Sequence, residues 1–164
     1  VMRIKNVQRG EVVDDDPKFI AAHRAAEFLA FKLVAGDILM SLTGNVGRVG
    51  RLRPEHEPAV LNQRVAHIEV KDTNRLSSDF LFALLNSPDF EDKAIEASKG
   101  VAQPNLSTKW IAEYPIPLPP LDVQHRIVAE IEAEQALVNA NKELIERMAK
   151  KIHAVIARVW GETP

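Results

Sequence analysis

From Asp122 to Trp160 the sequence runs without a proline or a glycine. No other feature constrains the chain so tightly, because an unbroken stretch of this length has few folded forms other than one long helix. With Ile131 set at heptad position a, that position holds Ile131, Val138, Ile145, Ile152 and Val159, all β-branched. Position d holds Ile127, Glu134, Asn141, Met148 and Val155. Two seams sustained over roughly five heptads are the mark of a coiled coil. At 1.5 Å per residue, 122–160 would be about 58 Å long, too long for a surface helix of a domain this small. The residues expected at a helix–helix interface are Ile127, Ile131, Val138, Ile145, Met148, Ile152, Val155 and Val159. The alternative is a long amphipathic helix folded back on its own domain. Glu134 and Asn141 weaken the d seam in its middle, where polar residues commonly set register and partner number.

Residues 1–121 have a different texture. Met2-Arg3-Ile4-Lys5 and Glu11-Val12-Val13 read as short strands about the turn-prone Arg9-Gly10. Ile20 to Phe31 is Ala-rich and helix-prone. Gly36-Asp37 announces a turn before Ile38-Leu39-Met40, a buried strand, and Thr43 to Gly47 is a tight turn leading to a second hairpin strand over Val46–Leu52. Ala59 to Val70 predicts one further strand. Ser77 and Ser87-Pro88 open two helices, and Ser107-Thr108 caps a short helical turn. Pro115, Pro117, Pro119 and Pro120 restrict Tyr114–Leu121 to an edge strand or an extended connector. The reading is an α/β (α+β) fold: a mixed, strand-rich domain at 1–121, a long coiled-coil-type helix at 122–160 and a tail at 161–164. The sequence opens at Val1 directly into an apolar–basic alternation, which reads as a start inside a domain.

The chemistry is sparse. The 164 residues include no cysteine, which excludes a disulfide scaffold, a zinc finger and a cysteine nucleophile. The formal net charge of −2 argues against binding nucleic acid by bulk charge. No apolar run reaches the length of a membrane span. His23, His56, His67, His125 and His153 lack metal-ligand spacing, and Asp14-Asp15-Asp16 reads as carboxylates facing water. Gly44, Gly47 and Gly50 fit a hairpin turn needing positive φ better than a phosphate loop. More suggestive are Arg48, Arg51, Arg53 and Arg64, with Asn62-Gln63 beside the last of them. In a strand, Arg51 and Arg53 would share one face. A second polar group runs from Lys99 through Gln103 and Asn105 to Lys109. Arginine and lysine suit phosphates, and amides suit base edges, so the set Arg48, Arg51, Arg53, Gln63, Arg64, Lys99, Gln103, Asn105 and Lys109 fits a DNA-reading surface. Arginines on a solvated face are the plainer alternative, and would leave a helix-mediated adaptor that never touches DNA.

Three segments resemble specificity subunits of type I restriction-modification enzymes. They are Gly36-Asp37-Ile38-Leu39 with Thr43-Gly44-Asn45-Val46-Gly47, then Leu61-Asn62-Gln63-Arg64-Val65-Ala66, and then Gly100 to Leu121 running into Gln124-His125-Arg126-Ile127-Val128. The last resembles the motif that ends a target recognition domain and begins the spacer helix. Asp122-Val123 departs from its usual Glu-Glu, whereas Gln124 is retained. The resemblance implies sequence-specific recognition of one half of a bipartite double-stranded DNA target, with the helix as spacer and as docking surface for modification subunits. It implies a chain without catalysis or cofactor of its own, since S-adenosylmethionine, and ATP with Mg for restriction, belong to partner modification and restriction subunits. It also implies a cytoplasmic protein of a bacterium or archaeon that pairs through the helix with a second recognition half or a second copy.

Overall fold

The computed structural model describes residues 1–99 and 104–160. They fall into two compact units, Val1–Gln124 and the chain from His125 onward.

The first unit is built around four residues. Strand β2 (Ile38–Ser41) is buried along its whole length and is the middle strand of an antiparallel sheet between β3 (Val49–Arg51) and β5 (Val65–Ile68). The register sets Ile38 opposite both Arg51 and Ile68, and Ser41 opposite Val65. Because successive side chains of a strand face opposite ways, β2 feeds two cores. Ile38 and Met40 pack with Val49, Leu81, Leu85, Phe90, Ala94 and Leu106. Leu39 packs on the other side with Val7, Val12, Leu33, Leu52 and Val65. A two-stranded antiparallel ladder joins β1 (Lys32–Leu33) to β4 (Ala59–Val60).

Helices α1 (Ser78–Leu85), α2 (Pro88–Ala97) and α3 (Thr108–Glu113) start where the sequence places their caps. The hydroxyls of Ser77, Ser87 and Ser107 accept from the backbone N–H of Phe80, Phe90 and Trp110, and Pro88 occupies the first turn of α2. Between α3 and the last helix the proline-rich stretch is an extended connector, outside any sheet.

Five expectations change in this unit. The strands over Met2–Lys5 and Glu11–Val13 shrink to single bridges, Met2 to Leu61 and Val7 to Val12, with a 3-10 turn at Ile4–Asn6. Asn6 is the reason: its buried amide donates to the carbonyls of Val13 and Asp15 and accepts from the N–H of Arg3, replacing a ladder with side-chain bonds. The Ala-rich segment is wound as a 3-10 helix over Ala22–Phe31, none of it fully buried. The strand after the glycine turn begins only at Val49, because Gly44 and Gly47 hold φ values of +72° and +79° and carry the turn onward. The strand over Ala59–Val70 is cut in two by a turn in which Asn62 accepts from Arg64 N–H through its side chain and from Val65 N–H through its carbonyl. Nor does Asp16 merely face water. Lys5, Arg3 and Lys18 gather on its carboxylate, at 2.9, 3.0 and 3.1 Å, and hold its pKa well below the usual carboxylate range.

Helix α4 (Leu121–Trp160) is 40 residues long and starts one residue earlier than expected. Pro120 provides the carbonyl that both Val123 and Gln124 N–H groups reach at 3.0 Å. From Ile131 onward the large apolar side chains lie open, between 45% exposure at Val138 and 76% at Trp160. Leu137, Leu144 and Ile156 are exposed as well, so the apolar stripe is wider than the a and d seams alone.

Candidate nucleic-acid interface

The antiparallel sheet has two chemically different ends. At the Ile38 end lie carboxylates: Asp37 before β2, Glu69 after β5, and Asp79 in the first turn of α1. At the Ser41 end, residues 41–48, 62–66 and 104–107 contain no aspartate or glutamate. Three backbone segments meet there. Leu42 N–H donates to Arg64 C=O at 3.0 Å, and Leu106 N–H donates to Leu42 C=O at 2.8 Å. Thr43 and Asn105 form an isolated antiparallel bridge. The strand end thus draws the glycine turn, the Asn62–Arg64 turn and the segment around Asn105 into one rim. Asn45, Gln63, Arg64 and Asn105 are exposed on it.

This division sorts the cationic residues. Arg51 lies at the acidic end, where its guanidinium donates to Asp79 Oδ1 at 2.5 Å and to the Ser78 carbonyl at 3.2 Å. It also lies over the Phe82 ring, 4.5 Å from the centroid. Arg53 leaves the strand altogether; it caps a 3-10 turn and faces Glu11 at 3.5 Å and Glu55 at 3.8 Å. The two arginines therefore do not share a strand face, because β3 ends at Arg51. Arg48 belongs to the rim end, since its carbonyl accepts from Ser41 N–H at 2.9 Å. Its half-buried guanidinium donates to Gln8 Oε1 at 2.6 Å. The guanidinium of Arg64 makes no hydrogen bond or ion pair among the described residues. Lys109 is on α3, 3.9 Å from Glu113 one turn further on. Lys99 is exposed just after α2. Gln103 lies outside the described residues.

The turn that carries Asn45 is held from within. Ser41, fully buried, donates its hydroxyl to the Asn45 carbonyl and lies 3.4 Å from the Arg48 carbonyl. Its own carbonyl accepts from Gly47 N–H at 3.0 Å. Beneath the turn, a Cβ on Gly47 would come within 2.8 Å of Ala94 Cβ in α2, so only glycine lets the turn sit on that helix. The acid nearest this contact, Glu91, is ion-paired with Arg9 at 2.7 Å. Sequence reasoning missed Asn45 as a presented group. Its one signal is an amide between two glycines, which by itself indicates turn chemistry.

Among the described residues there is no cluster able to hold a metal ion and no helix long and apolar enough to cross a membrane. The rim offers amide forks and one free guanidinium, which are groups for recognition.

Comparison with known proteins bears on the same question. The sequence profile of the type I restriction modification DNA specificity domain matches residues 14–148. The chain is similar to the specificity subunit of the type I restriction enzyme MjaVIII from Methanocaldococcus jannaschii, 29% identical over 158 residues, covering 92% of this chain and 37% of that protein. It is 25% identical over 162 residues to the EcoBI specificity subunit of Escherichia coli, covering 97% and 32% respectively. It thus spans about a third of the length of these relatives. Its fold is like that of the HsdS subunit from Thermoanaerobacter tengcongensis, with a TM-score of 0.69 at 24% identity, over 97% of this chain and 41% of that one.

Proposed function

The chain belongs to the type I restriction-modification DNA specificity family, and on that premise we propose that it recognises one half-site of a bipartite duplex target on behalf of a methyltransferase complex. The observation that carries this reading is the rim at the Ser41 end of the sheet, whose three segments hold no acid, with the guanidinium of Arg64, unpaired among the described residues, beside three exposed amides. The cation suits a phosphate or a guanine edge, and the amides suit adenine. The chain contributes recognition and no catalytic group. Methyl transfer from S-adenosylmethionine, and ATP- and Mg-dependent restriction, reside in the modification and restriction subunits with which it assembles in the cytoplasm.

Titrating duplex binding against salt tests the reading. Affinity should fall steeply as counterions are released. Arg64→Ala should reduce the slope of log K against log salt by about 0.9, the share of one phosphate contact. Arg51→Ala should instead lower the melting temperature and leave the slope unchanged, because Asp79, Ser78 and Phe82 already hold that guanidinium. Absence of salt-dependent binding to any duplex would favour the adaptor reading.

The helix has its own role in this proposal, as spacer and docking surface. Support comes from the exposed stripe, which at a, d, Leu137, Leu144 and Ile156 is wide enough to contact more than one partner helix. Ile145→Asp combined with Ile152→Asp should abolish pairing with a second recognition half or copy, or docking of the modification subunit. The reason is that each charge would be buried in an apolar seam. Unchanged elution on size exclusion together with unchanged co-purification would refute this part.

A further inference from the structure

We infer that Asn45 is a base-reading residue of this domain, making a bidentate contact to an adenine edge, and that buried Ser41 positions it. The inference rests on the DNA-recognition proposal and adds to it a specific residue and a specific base. A side chain that reads a base must be held at a fixed place by groups that do not themselves touch the base. The Asn45 backbone meets that condition: its carbonyl is tied to the Ser41 hydroxyl, and both flanking glycines fix the turn through positive φ. Its side chain is exposed and makes no hydrogen bond among the described residues.

Most other amides of the Val1–Gln124 unit are engaged. Asn6, Gln8, Asn62, Asn86 and Gln124 all use their side chains in internal hydrogen bonds. Apart from Asn74, the unengaged amides described in this unit, Asn45, Gln63 and Asn105, all lie on the rim. Asn45 and Asn105 have a shorter side chain than Gln63, and the Asn45 turn is tied through its own carbonyl to the buried Ser41 hydroxyl, so Asn45 loses little conformational freedom on contact. An asparagine amide donates and accepts in the spacing that adenine N7 and N6 present in the major groove.

Selection of duplexes from a randomised pool by the full chain tests the inference. The wild-type chain should enrich a consensus containing at least one adenine. Asn45→Ala should keep the melting temperature, the salt slope and the rest of that consensus, and lose the preference at one adenine position by roughly ten- to hundred-fold. Asn45→Asp should turn the same position toward cytosine, whose N4 amino group donates to a carboxylate. An unchanged consensus with Asn45→Ala would overturn the assignment of Asn45 and leave DNA recognition standing. A wild-type chain that enriches no consensus would overturn both.

Discussion

Gln124→Leu is expected to destabilise the Val1–Gln124 unit by about 3–5 kcal/mol, a melting-temperature loss of roughly 10–20 °C. The side chain is fully buried and every arm of its amide is used. Oε1 accepts from Ser77 N–H at 2.8 Å, and Nε2 donates to the carbonyls of Arg75 at 2.8 Å and Pro119 at 2.7 Å. Leucine fills similar space and leaves one donor and two acceptors buried without partners. Gln124→Glu separates the bonds from the packing. It keeps the acceptor for Ser77 and places a second oxygen against two carbonyl oxygens, so it should be at least as damaging near neutral pH. Thermal denaturation of the three chains decides the matter, and a leucine variant within about 1 kcal/mol of wild type would show that the three bonds contribute little.

That glutamine illustrates what the sequence disclosed. It stands in the most recognisable motif of the chain, yet nothing in its local context says that its partners are 5, 47 and 49 residues away. The long helix, its heptad and the three serine caps were legible because they depend on neighbours within a turn or two. So was β2, whose apolar run needs only its own residues to argue burial. The N-terminal strands were not, because Asn6 redirects the backbone through contacts with Val13 and Asp15. The candidate site was half legible. Composition pointed to arginines and amides, but only the register of β2 shows that Arg51 sits among carboxylates while Arg64 does not.

Gly50→Ala carries the second large effect, a loss of about 3 kcal/mol or more. The turn-forming glycines need positive φ; Gly50 is different, since it pairs with Leu39 in the middle of the ladder. A Cβ there would overlap the Glu11 carbonyl, and would press the Val12 side chain at 3.2 Å. Backbone atoms cannot rotate aside, so the 7–13 segment would have to lift from the sheet and uncover Val7 and Val12, both buried. Gly36→Ala is the matched control. It has open space around it and a φ of +96°, and should lose only about 1 kcal/mol through strain. Equal losses for the two variants would remove the close-approach explanation.

The placement of the rim has a consequence for how such a domain can change over time. Asn45, Gln63 and Arg64 stand on turns and Asn105 on an isolated bridge, all at one end of the sheet, and all four are exposed. Substitutions at exposed positions of this kind usually change stability by no more than about 0.5 kcal/mol. The residues that hold those turns, Ser41, Gly47 and Asn62, and the two cores beneath β2 are separate positions. On the proposed reading of the rim, its lettering could therefore be exchanged one residue at a time on an unchanged frame. Under that proposal a population of such chains could drift from one target to another without passing through unfolded intermediates.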